Sequence, residues 1–157
     1  MSVPELTVKI ALMRAQSSSS IRDAVAECVS SKREILAAYV FGSVATGRTR
    51  EGSDIDVAVL LQDGMGSSRM FQYRLRLMAD LGSALHRSDV EVVILNEAPP
   101  LLAHRVLSKG KLLFERSASA RVRFQIMTAN RYADMVPAFE IYIRYLKKSV
   151  REGRIIG

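Results

Sequence analysis

Residues 35–61 read ILAAYVFGSVATGRTREGSDIDVAVLL. The run from Ile35 to Phe41 is apolar, β-branched and aromatic and stops at Gly42-Ser43, which predicts a strand feeding a turn. A second strand is predicted over Asp54 to Leu61 (DIDVAVLL), ended by Asp63-Gly64. Side chains alternate faces along a strand, so Asp54 and Asp56 project from one side while Ile55, Val57 and Val59 turn to the core. Two anions on one strand face repel each other, and a bound divalent cation relieves that repulsion. Oxygen ligands suit magnesium or manganese. Zinc is excluded, because one cysteine, Cys28, and two histidines, His86 and His104, cannot build a zinc cluster. A third predicted strand, Asp89 to Leu95 (DVEVVIL), carries Asp89 and Glu91 on a shared face. Either can complete the carboxylate set, and Glu91, further inside the strand, is preferred.

Working outward, residues 5–15 show helical period. Ser17 to Ser20 then predict a break, and a second helix starts near Ile21 with Ser20 and Asp23 as a capping box. Ser67-Ser68 can cap a helix running to about His86. Pro99 and Pro100 suit the first turn of a helix that Gly110 ends, before a short strand from Lys111 to Glu115. Ala118 to about Glu152 reads as helix, interrupted or kinked at Pro137. The predicted fold is α/β (α+β), a small mixed sheet flanked by helices, with a C-terminal helical extension. It forms one domain overall, with N-terminal helices over residues 1–34, a catalytic core over 35–116 and a C-terminal helical segment over 117–157.

The chain has 157 residues, 48% hydrophobic and 25% charged, which excludes disorder and a disulfide-dependent mini-fold. No apolar run approaches the roughly 18 residues of a membrane helix. Glu5, Lys9 and Arg14 interrupt any signal-like stretch at the start, so a cytoplasmic protein is expected. Of the net charge of +7, six units fall within residues 116–157. Such a basic segment suits an acidic partner, either protein or nucleic acid, although no aromatic-rich single-strand platform accompanies it. The stripe Phe139, Tyr142, Ile143, Leu146 and Val150 follows helical spacing and reads equally as core or as protein interface. Cys28 is expected to be a small buried residue, and His104 to pack or to face water.

Gly42-Ser43 after a strand supplies the elements of a phosphate site. Glycine lets backbone approach a ligand, and the next residues aim N–H groups and a hydroxyl at phosphate oxygens. Arg48 and Arg50 are close enough in sequence to meet phosphate charge. Gly42-Ser43, ten intervening residues, then Asp54-Ile55-Asp56 resembles the signature of the minimal nucleotidyltransferases (MNT) of the DNA polymerase β superfamily. Glu91 to Leu102 (EVVILNEAPPLL), Gly110 to Glu115 (GKLLFE) and Tyr132-Ala133-Asp134 are similar to downstream blocks of the MntA-type antitoxins of HEPN/MNT (HepT/MntA) systems. The resemblance spans about residues 35–146.

The resemblance implies an Mg-dependent protein adenylyltransferase that moves AMP from ATP to a tyrosine hydroxyl of a cognate HEPN ribonuclease toxin and so neutralises it. Two magnesium ions, with manganese as a substitute, would be held by Asp54, Asp56 and Glu91, the last standing where the family usually has aspartate. Gly42, Ser43, Arg48 and Ser53 would bind the nucleotide. A degenerate scaffold that inhibits by binding only, and a transferase acting on a small aminoglycoside-like molecule, are the alternatives. Homo- or hetero-oligomers are compatible with either.

Overall fold

The computed structural model describes residues 2–47 and 53–154, excepting the side chains of residue 11 and residues 13–18. The chain runs through α1 (Val3–Ser30), β1 (Ile35–Phe41), the one-turn α2 (Ser43–Thr46), β2 (Ile55–Leu61), α3 (Ser67–Leu85) and β3 (Val90–Ile94). A 3₁₀ turn (Leu95–Glu97), α4 (Pro100–Lys109), β4 (Lys111–Glu115) and α5 (Ala118–Arg151) follow. The strands form one mixed sheet in the order β3-β2-β1-β4. β1 pairs antiparallel with both β2 and β4, and β2 pairs parallel with β3.

Both faces of the sheet are covered, which is why β1 and β2 read as nearly continuous apolar runs. On one face Ile55, Val57, Val59 and Leu61 pack with Val25 and Val29 of α1 and Leu77 and Leu81 of α3. On the other, Ala58 and Leu60 join Ala37, Tyr39, Ala103 and Val106, with Phe124 of α5 packed against them. A bulge between Ile35 and Ala37 shifts the alternation of β1, so that Ile35 and Ala38 serve one core while Ala37 and Tyr39 serve the other. The leading end of β2 is less covered. There Asp56 is half-buried and Asp54, just before the strand, is exposed.

Three helices differ from expectation. α1 is continuous through Ser17–Ser20, with no second start and no capping role for Ser20. Serine disfavours a helix interior only weakly, and Ile21, Val25, Cys28 and Val29 beyond it pack onto the first core, which outweighs that bias. The capping residue is instead Ser2, before the first helical residue Val3, and its backbone N–H accordingly donates to Glu5 Oε2 at 3.0 Å. α5 runs uninterrupted for 34 residues through Pro137. α3 is capped by Gly66, and Ser67 is already its first helical residue. His104 of α4 stacks on Tyr132 of α5, ring centroids 3.8 Å apart, which fulfils its expected packing role. Phe139, Tyr142 and Val150 on the outer half of α5 are exposed, while Ile143 and Leu146 are half-buried.

Candidate active site

β1 ends where Gly42 turns the chain into α2. Its dihedrals, φ 68° and ψ −143°, lie where L side chains are strained. A Cβ added there would stand 2.5 Å from Asp56 Oδ2. The glycine therefore lets backbone lie directly against the Asp56 carboxylate. Ser43 opens the single turn of α2, whose Val44 and Ala45 are buried, and Arg22 of α1 donates from Nη2 to the Val44 carbonyl at 3.1 Å. The turn is thus anchored from below by its own apolar residues and from the side by an arginine twenty-two positions away.

The sheet register assembles the carboxylates. Asp56 stands opposite Phe41 on the antiparallel side and opposite Glu91 on the parallel side. Paired residues share a face of the sheet, so Asp56 and Glu91 project the same way, beside Asp54. Burial, reinforced by the charges of Asp54 and then Glu91, pushes the Asp56 carboxyl above its ordinary range. Glu91 is exposed and leans towards Arg74 of α3, with Nη2 to Oε2 at 3.7 Å. The same arginine donates from Nε to the Val92 carbonyl at 2.7 Å, wrapping the free edge of the sheet.

Asp89 lies just before β3, and both its carboxylate oxygens accept from Arg87, one of them at 2.8 Å from Nε. That guanidinium holds Asp89 well below the usual carboxylate range. Of the two acids left open by the strand alternation, then, one is committed to an arginine and the other faces Asp56. Ser53 is half-buried, and its carbonyl accepts from Arg87 Nη2 at 2.7 Å. Arg48, with Arg50 and Gly52, lies outside the described residues.

Among the described residues no three His, Cys, Asp or Glu side chains form a ready-made metal cage. The register nonetheless brings Asp56 under the negative charge of Asp54 and Glu91, and carboxylate oxygens are the donors that a magnesium-type cation takes. Arg22, Arg74 and Arg87 had no local signal in the sequence. Each reaches the site across the tertiary structure.

The raised Asp56 carboxyl carries a prediction with a definite sign. An acid that holds its proton more tightly in the fold stabilises it below the ordinary carboxylate pKa, and that contribution is lost as the pH rises through the raised value. At neutral pH without metal, Asp56→Asn is therefore expected to raise the thermal midpoint. The gain should shrink as the pH falls below the ordinary carboxylate range. Thermal unfolding at two pH values checks this, and an unchanged or lowered midpoint at neutral pH would contradict it.

A family model described as polymerase beta, nucleotidyltransferase, matches residues 23–119, a span that contains Gly42, Ser43, Asp54, Asp56 and Glu91. The chain belongs to this family. The protein adenylyltransferase MntA of Shewanella oneidensis is 40% identical over 76 residues, 48% of this chain and 51% of the relative. The chain thus matches about half the length of that curated relative. A toxin–antitoxin crystal structure with AMP-PNP superposes with a TM-score of 0.68 at 26% identity, covering 80% of this chain and 98% of the other. The fold is also shared with a structure of the tri-AMPylated Shewanella oneidensis HEPN toxin in complex with MNT antitoxin, with a TM-score of 0.60 at 24% identity over 85% of this chain and 98% of that one. The mixed sheet flanked by helices is accordingly the nucleotidyltransferase fold, and Gly42-Ser43 and Asp54-x-Asp56 stand at adjoining strand ends within it.

Proposed function

We propose that the protein is an antitoxin-type adenylyltransferase that transfers AMP from ATP to a tyrosine hydroxyl of a cognate HEPN ribonuclease toxin in the cytoplasm. The observation that carries the reading is the in-register placement of Asp56 and Glu91 beside Asp54, with Gly42 backbone against Asp56, in a chain of the nucleotidyltransferase family. The AMP-PNP in the related toxin–antitoxin crystal structure supports ATP as the nucleotide. Asp54, Asp56 and Glu91 would hold divalent cations, magnesium foremost and manganese as a substitute. When bound, such ions neutralise phosphate charge and stabilise the attacking and leaving oxygens.

The backbone N–H groups and hydroxyl at Gly42-Ser43 grip the β- and γ-phosphates, with Ser53 and Arg48 as further nucleotide contacts. The acceptor oxygen bonds to the α-phosphorus as the bond from that phosphorus to the bridging oxygen breaks, and pyrophosphate leaves. Glu91 takes the proton of the acceptor hydroxyl. Positioning and charge neutralisation supply most of the acceleration. The outer half of α5, basic and carrying the exposed Phe139, Tyr142 and Tyr145, offers the partner a surface separate from this chemistry.

Incubation with the cognate HEPN protein, ATP and magnesium, read by intact mass, tests the reading. The parent should add AMP to the partner, and Glu91→Gln should slow this by about 10²-fold or more while nucleotide binding persists, the scale of a lost acid–base group. Loss of turnover at saturating nucleotide in Asp89→Asn, and not in Glu91→Gln, would reverse the assignment. A parent that binds its partner and leaves its mass unchanged would favour inhibition by binding alone.

A further inference from the structure

We infer that Arg87 is a positioning residue that braces the start of β2 against the start of β3 and so sets the direction in which Asp54 presents its carboxylate. The inference rests on the nucleotidyltransferase reading, and its geometry is separate from the motif. Arg87 donates to both carboxylate oxygens of Asp89 and, through Nη2, to the Ser53 carbonyl at 2.7 Å. The carbonyl of Asp89 in turn accepts the Ile55 N–H at 2.9 Å. Ser53 and Ile55, the two residues flanking Asp54, are therefore tied to one arginine–aspartate pair, one through its carbonyl and the other through its N–H. A planar guanidinium can hold a carboxylate and a carbonyl together in this way because its donors are fixed in a fork.

The end of α3 is built to deliver that arginine. His86 is the one non-glycine residue with positive φ among the described residues, at 53°, in the left-handed conformation that ends the helix. Its N–H and that of Arg87 turn back onto the last carbonyls of α3, Arg87 to the Gly82 carbonyl at 3.0 Å. Gly82 has to lack a side chain, since a Cβ there would come within 2.9 Å of the Arg87 carbonyl. A left-handed histidine is a conformation that surrounding contacts must hold in place. Here the contacts that hold it include the three hydrogen bonds of the residue it aims. Asp54 lies between the two residues so tied, and its negative charge acts on Arg87 along with that of Asp89.

The test is a double-mutant cycle on the full chain, reading manganese-dependent AMP-PNP affinity by calorimetry together with amide hydrogen exchange. Arg87→Gln and Asp89→Ala are each expected to weaken affinity about tenfold or more, the scale of losing a partner that orients a metal ligand. Because they remove one brace, the double variant should lose no more than either single variant. Arg87→Lys, which keeps the charge without the fork, should follow Arg87→Gln. The Ile55 amide should exchange faster in all of them, while the β1 amides keep their protection. Unchanged affinity in the single variants, or losses that multiply in the double, would overturn the inference. If the parent binds no AMP-PNP, the transferase reading falls, and the exchange data then decide the brace alone: unaltered protection at Ile55 would refute it.

Discussion

Replacing Asp54 and Asp56 together by alanine is expected to abolish AMP transfer, with a fall of about 10³-fold or more, while the fold survives. Metal-assisted stabilisation of the transferring phosphate amounts to several kcal/mol, and about 1.4 kcal/mol is a factor of ten in rate. Calorimetry with ATP, with and without magnesium, should show metal-enhanced binding in the parent and none in the double variant. Equal affinities in all four measurements would remove the site. Stability should hold or rise, since Asp56 carries a half-buried carboxyl whose charged form is disfavoured by burial and by its two acidic neighbours. This retained fold separates loss of chemistry from loss of structure.

Gly42→Ala should produce nearly as large an effect through backbone and not through charge. The position has φ 68° and ψ −143°, a region used almost only by glycine, where another residue costs on the order of 1–3 kcal/mol. The added Cβ would also lie 2.5 Å from Asp56 Oδ2, far inside contact distance, so either the carboxylate or the turn must move. A displacement of about 1 Å in a reacting constellation costs roughly 10²-fold in rate. The expected outcome is a lowered thermal midpoint together with a transfer rate about 10²-fold below the parent. Parental kinetics would mean that the close approach of Gly42 and Asp56 has no functional weight.

The parts of this protein that sequence alone determined are those governed by neighbours along the chain. Apolar runs ending at Gly42-Ser43 and Asp63-Gly64 marked β1 and β2, and period-two alternation separated Asp54 and Asp56 from Ile55 and Val57, because side-chain direction in a strand is a local property. The same locality misled at Ser17–Ser20, where weak serine propensity suggested a break and packing of Ile21, Val25 and Val29 kept α1 whole. Alternation also placed Asp89 and Glu91 on one face without ranking them by chemistry. Only the tertiary structure gives them different surroundings, setting Glu91 opposite Asp56 in the parallel register and closing Arg87 on Asp89. Strand register and the reach of Arg22, Arg74 and Arg87 depend on how separate elements pack, and residues 22, 74 and 87 carry no trace of that packing in their own neighbourhoods.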